Sequence, residues 1–105
     1  MYWNEVISLG IETEEVIDYE LVSSFVFNQV FANKVSIKQQ EHYNANKLGL
    51  RPEVAFEVRA EEYNGQLVVK WNDKEYYLIR TFDNQKNGTV ELYLTSEIGV
   101  DNEFN

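Results

Sequence analysis

The sequence predicts a mainly β protein: a small closed or partly closed antiparallel β-barrel of about six strands, with one long inserted loop or short helix. Three observations predict it. Val54-Ala55-Phe56-Glu57-Val58-Arg59-Ala60-Glu61 alternates apolar and polar residues without a break, the period-two signature of a half-buried strand. Runs of β-branched and aromatic residues are separated at short intervals by Asn64-Gly65, Asn72-Asp73 and the stretch Asp83 to Gly88, which are turn-forming compositions. Two further strand-like runs lie in the first third, and a sheet of six such strands leaves exposed edges unless it curls and closes.

Taken in order, Trp3, Glu5, Ile7, Leu9 and Ile11 share one face of a first strand, with a single charge intruding. Glu12-Thr13-Glu14-Glu15 reads as a polar break. Ser23 to Phe31 reads as the second strand. The alternating run from Val54 to Glu61 then ends at Tyr63-Asn64-Gly65-Gln66, where Asn-Gly predicts a type I′ hairpin turn. Leu67 to Trp71 follows, and Asn72-Asp73 turns the chain into Lys74 to Phe82. The last strand is Thr89 to Thr95, with Val90, Leu92 and Leu94 on one face. The second half is therefore expected to form a four-stranded antiparallel meander.

Between the second and third strands the pattern fails. Ser36 with Gln39 fits a capping box, Gly49 a helix C-cap and Pro52 a stop. The apolar stripe of Ile37, Tyr43, Leu48 and Leu50 is too thin to make a core. The segment between Ala32 and Pro52 could reach ~60 Å if extended at ~3.3 Å per residue, and loops of such length in compact domains are usually functional or mobile. The expected organisation is one β-barrel domain over 1–105, an inserted loop or helix over 33–53 and a flexible acidic tail over 99–105.

Composition narrows the function. The chain of 105 residues has a net charge of −9, no Cys and a single His, His42. The length suits one domain. Without Cys there is no disulfide framework, thiolate zinc site or thiol nucleophile. From Met1 to Asn33 there are six acids and no Lys or Arg; all nine basic residues lie between Lys34 and Lys86, facing eight acids. A lasting grip on nucleic-acid phosphates or anionic lipid needs clustered cations, so both are disfavoured. No apolar run nears the ~20 residues that span a bilayer, and the first residues lack the basic stretch of a signal peptide. The expectation is a soluble protein made in the cytoplasm.

Catalytic patterns are equally scarce. A Ser-His-Asp arrangement would have to use His42, which lies in the polar insertion, away from any strand-to-helix nucleophile turn. Glu14-Glu15 and Glu61-Glu62 are sequence neighbours, and neighbours on a strand point to opposite faces, which does not suit paired-carboxylate chemistry. There is no phosphate-cradling Gly loop and no metal-ligand spacing. No enzyme activity, cofactor or metal is expected. The many aromatic residues could stack on single-stranded nucleic acid, but neighbouring acids offset the bases, so the rings are read as core and interface anchors.

The middle of the chain resembles a known family. Val30 to Tyr43 (VFANKVSIKQQEHY), Gly49-Leu50-Arg51-Pro52-Glu53, Phe56-Glu57-Val58-Arg59, Glu62-Tyr63-Asn64-Gly65 and Tyr76 to Thr81 look like the phage head–tail joining family, the head-closure or stopper proteins of siphophages and prophages. The likeness covers about the second two-thirds of the chain. It implies a small β-barrel virion protein that forms a ring, commonly of twelve copies, under the portal and adaptor and docks a tail-completion protein. It also implies a long loop, here about Asn33 to Glu53, projecting toward the DNA channel, with no sequence-specific DNA binding and no membrane partner. Carried onto this chain, the channel-facing or inter-subunit residues are Lys34, Ser36, Lys38, Gln39, Gln40, His42, Tyr43, Lys47 and Arg51. The competing expectation is an acidic inhibitor, or DNA mimic, that occupies the basic cleft of a host enzyme.

Overall fold

In the computed structural model, which describes residues 3–37 and 51–96, six strands close into an antiparallel barrel. They are β1 (Glu5–Ile17), β2 (Glu20–Val35), β3 (Val54–Arg59), β4 (Val68–Trp71), β5 (Lys74–Asn84) and β6 (Thr89–Thr95), with a 3-10 turn at Ala60–Glu62. Around the barrel the order is β1-β2-β3-β6-β5-β4, and β4 returns to β1. The predicted fold class therefore holds.

The interior is built from alternate residues of each strand. Ile7, Leu9, Ala32, Val54, Phe56, Val58, Val69, Leu92 and Leu94 form one buried cluster. Such side chains each contribute about 1.5–3 kcal/mol through burial. The intruding Glu5 has a partner: Trp71 Nε1 donates to its Oε1 at 3.0 Å. The Trp71 ring meets Phe56 edge-on, with centroids 5.1 Å apart. One charge on the core face thus satisfies the one polar atom of a large core ring.

The four-stranded meander is overturned. β4, β5 and β6 are consecutive neighbours, but β3 pairs with β2 and β6 and has no pairing with β4. The link from β3 to β4 crosses the end of the barrel. Asn64-Gly65 does not make a type I′ hairpin, because only Gly65 takes a positive φ (81°). Gln66 holds the crossover instead. It is buried, its Oε1 accepts from the Asn64 N–H at 2.7 Å, and its carbonyl accepts from the Tyr63 hydroxyl at 2.9 Å. Closure is the physical reason: β3 pairs with β6 over six residues, which a local β3–β4 hairpin would forgo. The strand predicted to Glu61 accordingly stops at Arg59. Asn72-Asp73 does form the expected turn, both residues having positive φ (53° and 62°).

The predicted polar break at Glu12 to Glu15 lies inside β1, and β2 extends beyond the expected Ser23 to Phe31 at both ends. The two strands form one long hairpin, paired from Glu5↔Ala32 to Ile17↔Glu20, turning at Asp18-Tyr19. Both turn residues have positive φ (52° and 68°), a conformation costing a non-glycine residue roughly 1–2 kcal/mol. Only the lower part of this hairpin belongs to the barrel. β1 meets β4 at Ser8 to Gly10, and β2 meets β3 at Asn33 to Val35. Residues 11–26 extend past the barrel as a two-stranded arm, neither edge of which pairs with another strand among the described residues. Hence Ile11, on the same strand face as the buried Ile7 and Leu9, is 39% exposed. The radius of gyration is 15.1 Å, against about 13 Å for a compact domain of ~100 residues.

Gly10 sits at the root of the arm, directly across from Phe27. The ring lies over its backbone, and a Cβ there would come 2.8 Å from Cδ1. Lys70 Nζ stands over the same ring, 4.2 Å from its centroid. An aromatic covering a cross-strand glycine in this way helps pin the register.

Candidate functional site

The strand directions place the two candidate surfaces at opposite ends of the barrel. At one end β2 finishes at Val35 and β3 begins at Val54, paired side by side (Val35↔Ala55), so the insertion leaves and re-enters through adjacent strands. At the other end stand the arm, the β3–β4 crossover and the β5–β6 loop.

At the insertion's root, the returning chain is held by Glu53. Its Oε2 accepts from the Ser96 backbone N–H at 2.8 Å and from Thr95 Oγ1 at 3.2 Å. The Ser96 hydroxyl donates to both carboxylate oxygens, at 2.8 and 2.7 Å. Lys74 Nζ stands 3.9 Å away. Burial pushes this carboxyl's pKa up, but the Ser96 and Thr95 donors and the Lys74 charge outweigh it, holding it below its ordinary 4.5. The Glu53 N–H also donates to the Leu94 carbonyl at 2.8 Å. One side chain thereby ties the start of β3 to the end of β6 and the β4–β5 turn. A cleft of about 490 Å³ opens beside it, lined by Lys34 to Ile37 and Pro52 to Val54.

Of the nine residues expected at this site, the structure describes Lys34, Ser36 and Arg51. Ser36 and Arg51 are exposed, Ser36 lining the cleft. Lys34 lies within β2, opposite Phe56, and its ammonium sits 5.0 Å from the Trp71 ring centroid. Lys34 is exposed too and also lines the cleft, with its charge held against that ring. Lys38, Gln39, Gln40, His42, Tyr43 and Lys47 lie outside the described residues, as do the helix proposed after Ser36 and the tail 99–105. Among the described residues, no group of three or more His, Asp or Glu could hold a metal ion.

The arm lies outside the nine expected site residues, within the acidic first third on which the inhibitor expectation rests. It carries Glu12, Glu14, Glu15, Asp18 and Glu20 with no basic residue. It also carries eight of the twelve large exposed hydrophobics among the described residues. The strand register puts Ile11, Val26, Val22 and Ile17 on the face continuing the barrel interior, and Phe25, Leu21 and Val16 on the other. Tyr19, at the tip, is fully exposed. The available signal was Val16-Ile17 and Leu21-Val22 flanking Asp18, an apolar hairpin tip too far from the other strands to enter the core.

On the outer wall, Ala55, Glu57, Thr89 and Tyr93 are all buried although they point away from the core. The Glu57 carboxylate accepts from Thr89 Oγ1 at 2.9 Å. Arg59, exposed beside them, stacks its guanidinium 5.3 Å from the Trp3 ring centroid.

No protein-family model matches this chain, and no curated protein matches it either.

Proposed function

We propose that this chain is a non-catalytic virion protein of the head–tail joint. In this reading it is a head-closure ring under the portal and adaptor, with the 33–53 segment directed toward the DNA channel and a tail-completion protein docking beneath. The observation that carries it is that both ends of the insertion meet at one end of a closed barrel, while the arm stands at the other. A subunit so built can touch assemblies on both sides while its barrel stays rigid. A ring also multiplies a modest contact by its copy number. An acidic body offers DNA few places to stick during passage. The motif resemblance of the middle of the chain points the same way.

The test is assembly. Mixed with the portal and adaptor proteins of its own phage, the purified chain co-sediments as a ring-sized complex. A chain that remains free in such a mixture rules the reading out.

The five carboxylates of the arm favour a second reading, an acidic inhibitor that lays the arm into a basic cleft of a host enzyme. Such a protein has no reason to assemble with portal and adaptor. Neutralising the arm's acids would abolish inhibition and leave ring assembly standing.

A further inference from the structure

We infer that the edge of β1 from Ile11 to Ile17 is a strand-addition site, which takes an extended segment of another protein that alternates cations with apolar residues. β1 is paired on both sides only as far as Gly10. β4 begins at Val68, opposite Gly10, and so goes no further along β1. β2 continues beside β1 to Ile17. The other edge of residues 11–17 therefore has no strand on it among the described residues, and every residue from Ile11 to Ile17 is exposed. Such an edge presents a row of backbone donors and acceptors that a further strand can take up.

A cleft marks where that strand begins. It measures about 540 Å³, lies between the arm root and the β4–β5 wall, and is lined by Ile11, Glu12, Phe25, Leu67, Tyr77 and Leu78 among others. Ile11 and Glu12 are consecutive and point to opposite faces, so a cleft lined by both runs along the edge of β1. Its far wall is apolar and already in place. Leu67 is 64% exposed, and its carbonyl accepts from the Leu78 N–H at 3.0 Å. The volume falls within the ~300–1,000 Å³ range of concave binding sites.

Charge names the occupant. Glu12, Glu14 and Glu15 lie on this strand, with Asp18 and Glu20 beyond them, and the arm carries no cation. The described cleft lining has none either. The edge of β2 lacks this selection, since Glu20 is the only charged residue from there to Ala32. A second acidic arm and a nucleic acid are both repelled here, whereas a basic segment is drawn in. Glu12 and Glu14 share one face of β1. In a strand that continues the antiparallel line of β4, the residues opposite them are two apart. The residue opposite Ile11 then follows the one opposite Glu12. The recognised pattern is thus cation, any residue, cation, apolar residue, with the last seated in the cleft. Backbone bonds supply the affinity, and the cross-strand ion pairs fix the register. This contact rests on neither reading of function above.

The probe is a short fluorescent peptide alternating lysine and valine, titrated with the full chain at ~0.15 M salt. The expected result is binding, with slowed amide hydrogen exchange at residues 11–17, and no binding of the same peptide with glutamate in place of lysine. Glu12→Gln with Glu14→Gln weakens binding about tenfold, as for the loss of two cross-strand ion pairs. Asp18→Asn with Glu20→Gln makes the same change in charge away from this edge and weakens it less than about threefold. All four positions are exposed, so both double variants keep the wild-type unfolding midpoint. No binding of the lysine peptide, equal weakening by the two double variants, or binding without slowed exchange at residues 11–17 overturns the proposal. Protection of that edge by single-stranded DNA or by a second copy of the chain, in place of the peptide, overturns it too. Peptide capture by a chain that fails to assemble with portal and adaptor discards the ring reading and keeps the strand site; assembly without capture discards the strand site alone.

Discussion

Replacing Glu53 by Ala removes the acceptor for three donors at once: the Ser96 N–H, the Ser96 hydroxyl and the Thr95 hydroxyl, all within 3.2 Å. Hydrogen bonds to a charged group contribute ~1.5–3 kcal/mol each when buried. The Glu53 side chain is 34% exposed, so water competes and the lower part of the ordinary range, ~0.7–1 kcal/mol each, is appropriate. Lys74, 3.9 Å away and more exposed, adds a few tenths at most. The expected loss is therefore about 2–3 kcal/mol. For a domain of this size that lowers Tm by roughly 8–20 °C. Glu53→Gln keeps one acceptor oxygen and loses about half as much. The pH dependence gives an independent check. The folded-state pKa lies below the ordinary 4.5, so this carboxylate's contribution is full above that value. It fades as pH falls through the folded pKa. Urea unfolding at neutral pH and at several acid values reads both effects. A wild-type-to-Gln difference under ~0.5 kcal/mol at neutral pH refutes the clamp. So does a difference that fails to narrow in acid.

Three other substitutions probe the fold. Gly10→Ala should destabilise by about 1–2 kcal/mol, because Phe27 must leave its place under Lys70; an open strand position would instead gain ~0.5–1 kcal/mol, so the sign in urea unfolding decides. Thr89→Val removes the hydroxyl that donates to the buried Glu57 carboxylate and should cost about 1–3 kcal/mol. Pairing it with Glu57→Leu should recover much of that loss, by thermal unfolding. Leu92→Ala, at a fully buried position, should cost about 2–5 kcal/mol, whereas Leu21→Ala on the exposed arm should change monomer stability by less than ~0.5 kcal/mol.

What was legible in the sequence follows from where period-two patterning is enforced. Val54 to Val58 and Val90 to Leu94 alternate because one face of each meets the core, and both strands lie where expected. Asn72-Asp73 was readable because both residues tolerate the left-handed region, and both adopt it. Asn64-Gly65 misled, because the same dipeptide serves a crossover held by the Gln66 side chain, a tertiary arrangement without a local signature. The arm was illegible for a different reason. Glu12 to Glu15 looks like a break only if a strand must bury one face, and beyond Gly10 no barrel partner requires it. Glu53 carries no pattern either, since its donors come from the far end of the chain. Of the expected site, Lys34 was found at the insertion's root, but with its charge over Trp71. A test of channel charge should therefore substitute Lys38, Lys47 and Arg51, and leave Lys34 in place.

The central claim, that the chain closes a phage head and joins it to a tail, is tested most directly by electron microscopy of a lysate from a phage lacking this gene. The account predicts separate free tails beside tailless heads that have lost their DNA. Intact infectious particles would contradict it.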